Sequence, residues 1–311
     1  MAPTRRSTNT RLGVGLAIGT ALISGLAIYL NSYGVKAVPD AAVYTTAKNG
    51  VAALILVGLA LSLGAAREAR ALDGRRRAGL LAIAVIGGSV PFVLFFSGLA
   101  IATAPTAAFI QKTLFIWVAL MALPILGERI GLIQIGALGV LLVGQVLVAP
   151  PTGMGWGAGE TMILAATLLW AVEVVLAKRL LVGISAPLLG AARMGLGFLV
   201  LIGYLAVSGR LAGLGALSGQ ALIWVLVTGV LLAGYVATWF AALRFAPATT
   251  VTSILVGAAV VTGALSSVSS GKAPDLRAVV GYVLIAVAVA LVAAGASRFG
   301  RSRAPRAVAQ G

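Results

Sequence analysis

Ten stretches of roughly twenty mostly apolar residues follow one another along the chain, and each is long enough to cross the hydrocarbon of a bilayer. Inside lipid no water is present to bond the backbone, so only helices or a closed barrel can cross. The stretches lack the two-residue alternation of barrel strands, which leaves an all-α integral membrane protein. The expected helices are 12–33, 41–64, 78–99, 104–126, 130–149, 159–180, 185–207, 220–243, 247–268 and 277–296. Hydrophobic residues make up 60% of the 311 and charged residues 10%, a balance that a water-soluble core does not require. Pro91 and Pro124 fall inside expected helices and predict kinks or local unwinding there.

Most of the charge lies between the apolar stretches, and it is unevenly shared. With a cytoplasmic N-terminus, sixteen of the 23 Lys and Arg residues fall on the cytoplasmic side, among them Arg5, Arg6, Arg11, the run Arg67 to Arg77, Arg129, Lys178, Arg179, Arg244 and the tail Arg298 to Arg306. Lys36, Arg210, Lys272 and Arg277 fall on the other side, which is the asymmetry of the positive-inside rule. Both termini are then cytoplasmic and the protein is a multi-pass protein of the cytoplasmic membrane. The net charge of +16 is spread through connections that meet anionic lipid, so membrane lipid and not nucleic acid is the expected polyanionic partner. The basic start before Leu12 reads as the flank of a first span, not as a cleaved signal. Cys and His are both absent, which removes disulfides, thiolate or imidazole metal sites and His-based nucleophile pairs, and no cofactor is expected.

The sequence divides into similar halves, 1–150 and 151–311. Lys48 corresponds to Arg193, Ala104-Pro105 to Ala246-Pro247, and Gly136 to Gly281. Five spans per half is an odd number, so the second half must enter the membrane inverted relative to the first. Inverted repeats suit alternating access, because a fold and its inverted copy can exchange inward-open and outward-open shapes.

The stretch Ala104-Pro105-Thr106-Ala107-Ala108, the turn Pro124-Ile125-Leu126-Gly127-Glu128-Arg129 and the Gly-rich run from Gly136 to Gly144 resemble the end of an EamA-type repeat of the drug/metabolite transporter superfamily. The resemblance covers essentially the whole chain as two copies. The second copy departs from it, with Ser269-Ser270-Gly271-Lys272 where Gly-Glu-Arg would stand, which puts an essential role for Glu128 in doubt. What the resemblance implies is a ten-helix secondary carrier, often an exporter of amino acids, metabolites or drugs, with a central cavity between its halves. The expected activity is therefore alternating-access transport of a small metabolite such as an amino acid or organic anion, not catalysis. A drug efflux carrier and an intramembrane lipid-modifying enzyme are the competing readings, although the enzyme's acidic pairs or catalytic dyad are not visible.

Ionisable groups within spans are costly and usually face a cavity or a partner. Glu173 and Arg193 sit at equal depth, roughly 10 Å from the cytoplasmic end of neighbouring helices at ~1.5 Å per residue, and can pair. Two readings stand: a packing ion pair, or a carboxylate that exchanges a proton or cation and releases Arg193 when substrate arrives. Lys112, with Gln111 before it, is too deep to snorkel and has no acidic residue level with it. It is either a substrate contact or a donor to neighbouring carbonyls. Lys48 lies nearer the outer surface and can partly snorkel. Three cations against one carboxylate favour an anionic solute in the interior. Tyr235, Thr238 and Trp239, with Trp117 and Trp170, form either an aromatic wall or the packing contacts usual for aromatics in spans, whereas Thr249, Thr250, Thr252 and Ser253 are expected to bond the preceding turn. Gly136, Gly139 and Gly144 are expected to allow close helix approach. Glu160 is expected near a helix N-terminus and Trp156 at the membrane interface.

Overall fold

A computed structural model describes residues 9–102, 104–150 and 156–301, without the side chains of 104, 105 and 297–301. Arg5, Arg6, Arg303 and Arg306 therefore lie outside the described residues, as do the side chains of Arg298 and Arg301. All regular structure among the described residues is helical. The first repeat contains α1 (Thr10–Ala37), α2 (Ala41–Ser62), the short α3 (Ala65–Ala71), α4 (Gly74–Ile86), α5 (Val90–Leu99), α6 (Ala104–Lys112), α7 (Leu114–Leu126) and α8 (Leu132–Val148). The second contains α9 (Ala158–Leu180), α10 (Ala186–Val207), the single turn α11 (Ala212–Gly215), α12 (Gly219–Phe245), α13 (Ala248–Leu255), α14 (Ala258–Ser270) and α15 (Leu276–Arg301). Nine helical stretches among the described residues are long and apolar enough to span a membrane, and α8 is a shorter apolar tenth. At 17 residues α8 is about 26 Å long, slightly less than the hydrocarbon thickness.

Three expected spans are interrupted where hydropathy gives no sign of it. The third breaks over Gly87, Gly88 and Ser89 between α4 and α5, the fourth at Thr113 between α6 and α7, and the ninth at Val256 and Gly257 between α13 and α14. Pro91 lies just beyond the first break, in the opening turn of α5, where its missing N–H costs little. Pro124 interrupts nothing: α7 runs through it and ends at Gly127 in a left-handed turn with φ 63°. The second copy keeps that turn at Gly271, with φ 65°, but follows it with Lys272 where the first has Glu128.

The packing has the exchange symmetry of an inverted duplication. α1 packs on α12, α13 and α14, while its counterpart α9 packs on α4, α5, α6 and α7; α2 meets α10, and α8 meets α15. Each repeat therefore lends its first helix to the other. At the α8–α15 seam, Cβ atoms built at Gly144 and Gly281 would lie 2.9 Å and 2.8 Å from each other's carbonyl oxygens, so these positions admit no side chain. The expectation for Gly136 and Gly139 fails, because both are exposed and a Cβ built at either would meet nothing within 4 Å. Outward positions are apolar, including Leu54, Leu199, Ile223 and Val283, so the bundle presents hydrocarbon to lipid, while the charges within the spans face its interior.

At the end of the bundle carrying the Arg67 to Arg77 run, called here the basic end, polar groups tie one repeat to the other. Glu68 accepts from the Ser185 N–H and hydroxyl, both at 2.6 Å, at the start of α10. Glu128 accepts from the N–H groups of Ala248 (2.6 Å) and Thr249 (3.1 Å) and from the Thr249 hydroxyl (2.8 Å). It thereby satisfies the unpaired donors of α13, where the helix dipole also favours an anion. At helix C-termini the signs reverse. Lys178 donates to the carbonyls of Leu243 and Ala246 at the end of α12, within the second repeat, and Arg179 crosses to the first by donating to Ile125 O at 2.9 Å. At the opposite end, the partly exposed Asp40 and exposed Arg210 lie 3.6 Å apart, a solvated pair of small energetic weight.

Candidate functional site

The helix breaks surround a cavity of about 250 Å³ between the repeats. Its wall extends from Asn31 and Thr228 toward the end opposite the basic loops to Trp239 and Thr252 toward the basic end. Lys48, Gln111, Lys112, Glu173, Arg193, Tyr235 and Trp239 all line it, so the residues singled out in sequence converge on one space.

Glu173 on α9 and Arg193 on α10 are both buried, and they pair: Nε donates to Oε1 at 2.5 Å and Nη2 to Oε2 at 3.3 Å. The remaining Nη1 meets the Met194 sulfur at 3.4 Å, and the guanidinium lies 5.9 Å from the centre of the Phe92 ring. The break between α4 and α5 is fitted around this pair. A Cβ at Gly87 would fall 2.2 Å from the Glu173 carboxyl carbon, and one at Gly88 would fall 2.1 Å from the Arg193 carbonyl oxygen. Trp170 on α9 donates to the Gly87 carbonyl at 3.2 Å, taking up an acceptor freed by the broken helix.

Lys112 ends α6 at the break in the fourth span, and its ammonium has no hydrogen bond or ion pair with any described residue. Lys48 does not simply snorkel as expected. It donates to Asn31 Oδ1 at 3.0 Å, and that oxygen also accepts from the Tyr44 hydroxyl at 3.0 Å, which in turn lies 2.8 Å from the Thr228 hydroxyl. Sequence reasoning missed this network because Asn31 stood at the expected end of the first span. α1 continues to Ala37, which places Asn31 within the helix. Tyr44, fully buried, gave no signal beyond being aromatic.

The aromatic wall is smaller than expected. Tyr235 and Trp239 stack at 5.9 Å, and Trp170 meets Phe92 edge to face at 5.5 Å, but Trp117 is not part of the cavity and donates to the Thr113 hydroxyl at 3.1 Å. Thr238 bonds the preceding turn through Gly234 O, as Thr252 and Ser253 do through Ala248 O and Thr249 O. Of the hydroxyls in α13 only Thr252 reaches the cavity. Glu160 lies away from it and accepts from the Gly157 N–H at 3.0 Å, closing the start of α9, and Trp156 is exposed. Among the described residues no three acidic side chains cluster to hold a metal ion.

Two interlocked five-helix repeats around a charged central cavity define a multi-pass membrane protein with a carrier's architecture. The EamA-like transporter family matches this chain twice, over residues 11–149 and 157–294, and the chain belongs to that family. A solved crystal structure of a protein superposes on it with a TM-score of 0.74, covering 90% of this chain and 97% of the other. At 17% identity that likeness shows a shared fold alone. No curated protein matches the sequence.

Proposed function

We propose that the protein is a secondary carrier, and not an enzyme, that moves a small solute bearing a carboxylate or other anionic group across the cytoplasmic membrane by alternating access. The observation that carries this reading is the cavity's charge: among the described residues Lys48, Lys112 and Arg193 face it against the single carboxylate of Glu173, and Lys112 has no bonding partner. An unpaired ammonium at membrane depth is costly unless something anionic visits it. In this reading the solute lies against Lys112 and Gln111, with Tyr235 and Trp239 on its apolar side. Competition of its carboxylate for Arg193 releases Glu173 to take a proton or cation, which couples solute movement to an ion gradient. With both termini cytoplasmic, the basic end faces the cytoplasm.

The aromatic lining also suits a lipophilic drug, and the same assay decides between them. Flux into proteoliposomes is measured across amino acids, organic anions and cationic drugs, with and without a pH gradient. Saturable flux of anionic or zwitterionic solutes is expected. Transport of cationic drugs that Glu173→Gln leaves unchanged would refute the anion carrier.

A further inference from the structure

A second cavity, of about 330 Å³, lies between α1, α6, α8, α14 and α15 and shares Lys112 and Ile28 with the central one. It is lined by unengaged polar groups. The Gln145 side chain is only 2% exposed, and its Oε1 bonds no described group. The hydroxyls of Ser266, Ser267 and Tyr282 have no hydrogen-bond partner among the described residues either. The Thr262 hydroxyl differs, since it already donates to Gly25 O and Ala258 O. Among the described residues no carboxylate lines this cavity, and its ionisable side chains are Lys112 and Tyr282.

A buried amide left without a partner needs an explanation, and here the amide is one of several open donors around a cation. The two ends of an amide are interchangeable in shape, so Gln145 can present its NH₂ to an anion. Hydroxyls, an amide and an ammonium without a competing carboxylate form a site for an oxyanion. Lys112 stands in the partition between the two cavities at the end of α6, so one flexible ammonium serves both. The inverted copy has no equivalent: the offset relating Pro105 to Pro247 places Ile254 opposite Lys112.

We propose that this side cavity is a second binding site for a carboxylate or similar oxyanion, held by Lys112, Gln145 and Tyr282, and that Lys112 passes the anion between it and the central cavity. The proposal rests on the anion-carrier reading and adds a staging site to it.

The chain contains no cysteine, so one introduced thiol reports one place without background. In liposomes, the thiol from Ser267→Cys is reacted with an anionic and a cationic methanethiosulfonate, and the rate ratio is compared with that of Ser208→Cys, an exposed site outside both cavities. A ratio at least about fivefold more anion-favouring is expected, the effect of roughly one well-placed positive charge. It falls to the control value when Lys112→Gln is added, and sodium benzoate slows the reaction only while Lys112 is present. A ratio equal to the control, indifference to Lys112→Gln, or no effect of benzoate overturns the proposal. Ala108→Cys, lining the same cavity, replaces Ser267→Cys should that variant not fold. Ser24→Cys, which lines the central cavity alone, separates the two readings. Anion preference there without preference at Ser267→Cys removes the staging site only, whereas no preference at Ser24→Cys removes the anion carrier on which it rests.

Discussion

The third and fourth helices of the two repeats derive from one pattern and now differ in three respects. In the first repeat the third helix is broken into α4 and α5 around Gly87 and Gly88, whereas its counterpart α12 runs unbroken for 27 residues. The first repeat's fourth helix carries Gln111 and Lys112 at its break; the second carries a neutral hydroxyl-bearing segment whose hydroxyls at Thr252 and Ser253 are spent on the preceding turn. The capping carboxylates Glu68 and Glu128 also belong to the first repeat alone, so both act at the basic end, while Lys272 follows the equivalent turn at the other. Inverted duplication supplies two matching scaffolds. Chemistry has been concentrated in one fourth helix, and the fixed closure in one end of the bundle.

The largest expected effect tests whether the broken third helix depends on the ion pair. Glu173→Gln leaves Arg193 buried beside a neutral amide and is expected to cost about 3–5 kcal/mol, read as lost thermal stability in detergent. Adding Arg193→Met should recover most of it. Recovery would show that the pair is not needed to hold the fold, and no recovery would show that it is. Next comes the break itself. Gly88→Ala forces a methyl onto the Arg193 carbonyl and should cost about 1–3 kcal/mol, whereas Gly234→Ala in α12, whose nearest neighbour would be 3.7 Å away, should be tolerated. Equal effects at the two glycines would erase the contrast between the third helices.

The asymmetric closure predicts a smaller change. Glu128→Gln keeps an acceptor at the start of α13 but removes its charge, and a stability loss of about 1 kcal/mol is expected. Ser270→Ala at the matching turn of the second repeat, at an exposed residue, should lie within about 0.5 kcal/mol of the parent. Opposite in sign is Lys112→Ala, which breaks no bond among the described residues and removes an unpaired ammonium from membrane depth, so thermal stability in detergent should rise and not fall.

Much of this was legible in the sequence, because lipid imposes strict demands on length and charge. Apolar length gave the number of spans, and equal depth paired Glu173 with Arg193 before any contact was visible. The depth of Lys112 left a substrate contact and a bond to neighbouring carbonyls both open, and its ammonium makes no such bond among the described residues. Pro91 signalled the break beside it at Gly87-Gly88-Ser89, but the breaks at Thr113 and Val256-Gly257 were not legible, since hydropathy is blind to backbone continuity and no proline marks them. Trp117 illustrates the same limit around the helix axis: being in the right span does not fix which way a ring faces. Glu68 and Glu128 find their partners 117 and 120 residues away, so no local pattern announced them as caps. The family resemblance alone singles out Glu128, and the second copy lacks it. That absence is a feature of the asymmetric closure.

The most direct test compares the two fourth helices in transport. Saturable flux of an organic anion is measured in proteoliposomes for Lys112→Ala and Thr252→Ala at matched insertion. The account predicts at least about a tenfold loss for Lys112→Ala, as for loss of a charge-assisted contact, and no more than about a twofold change for Thr252→Ala, whose hydroxyl is bonded to its own helix. Unchanged flux in Lys112→Ala, or equal losses in both, would contradict it.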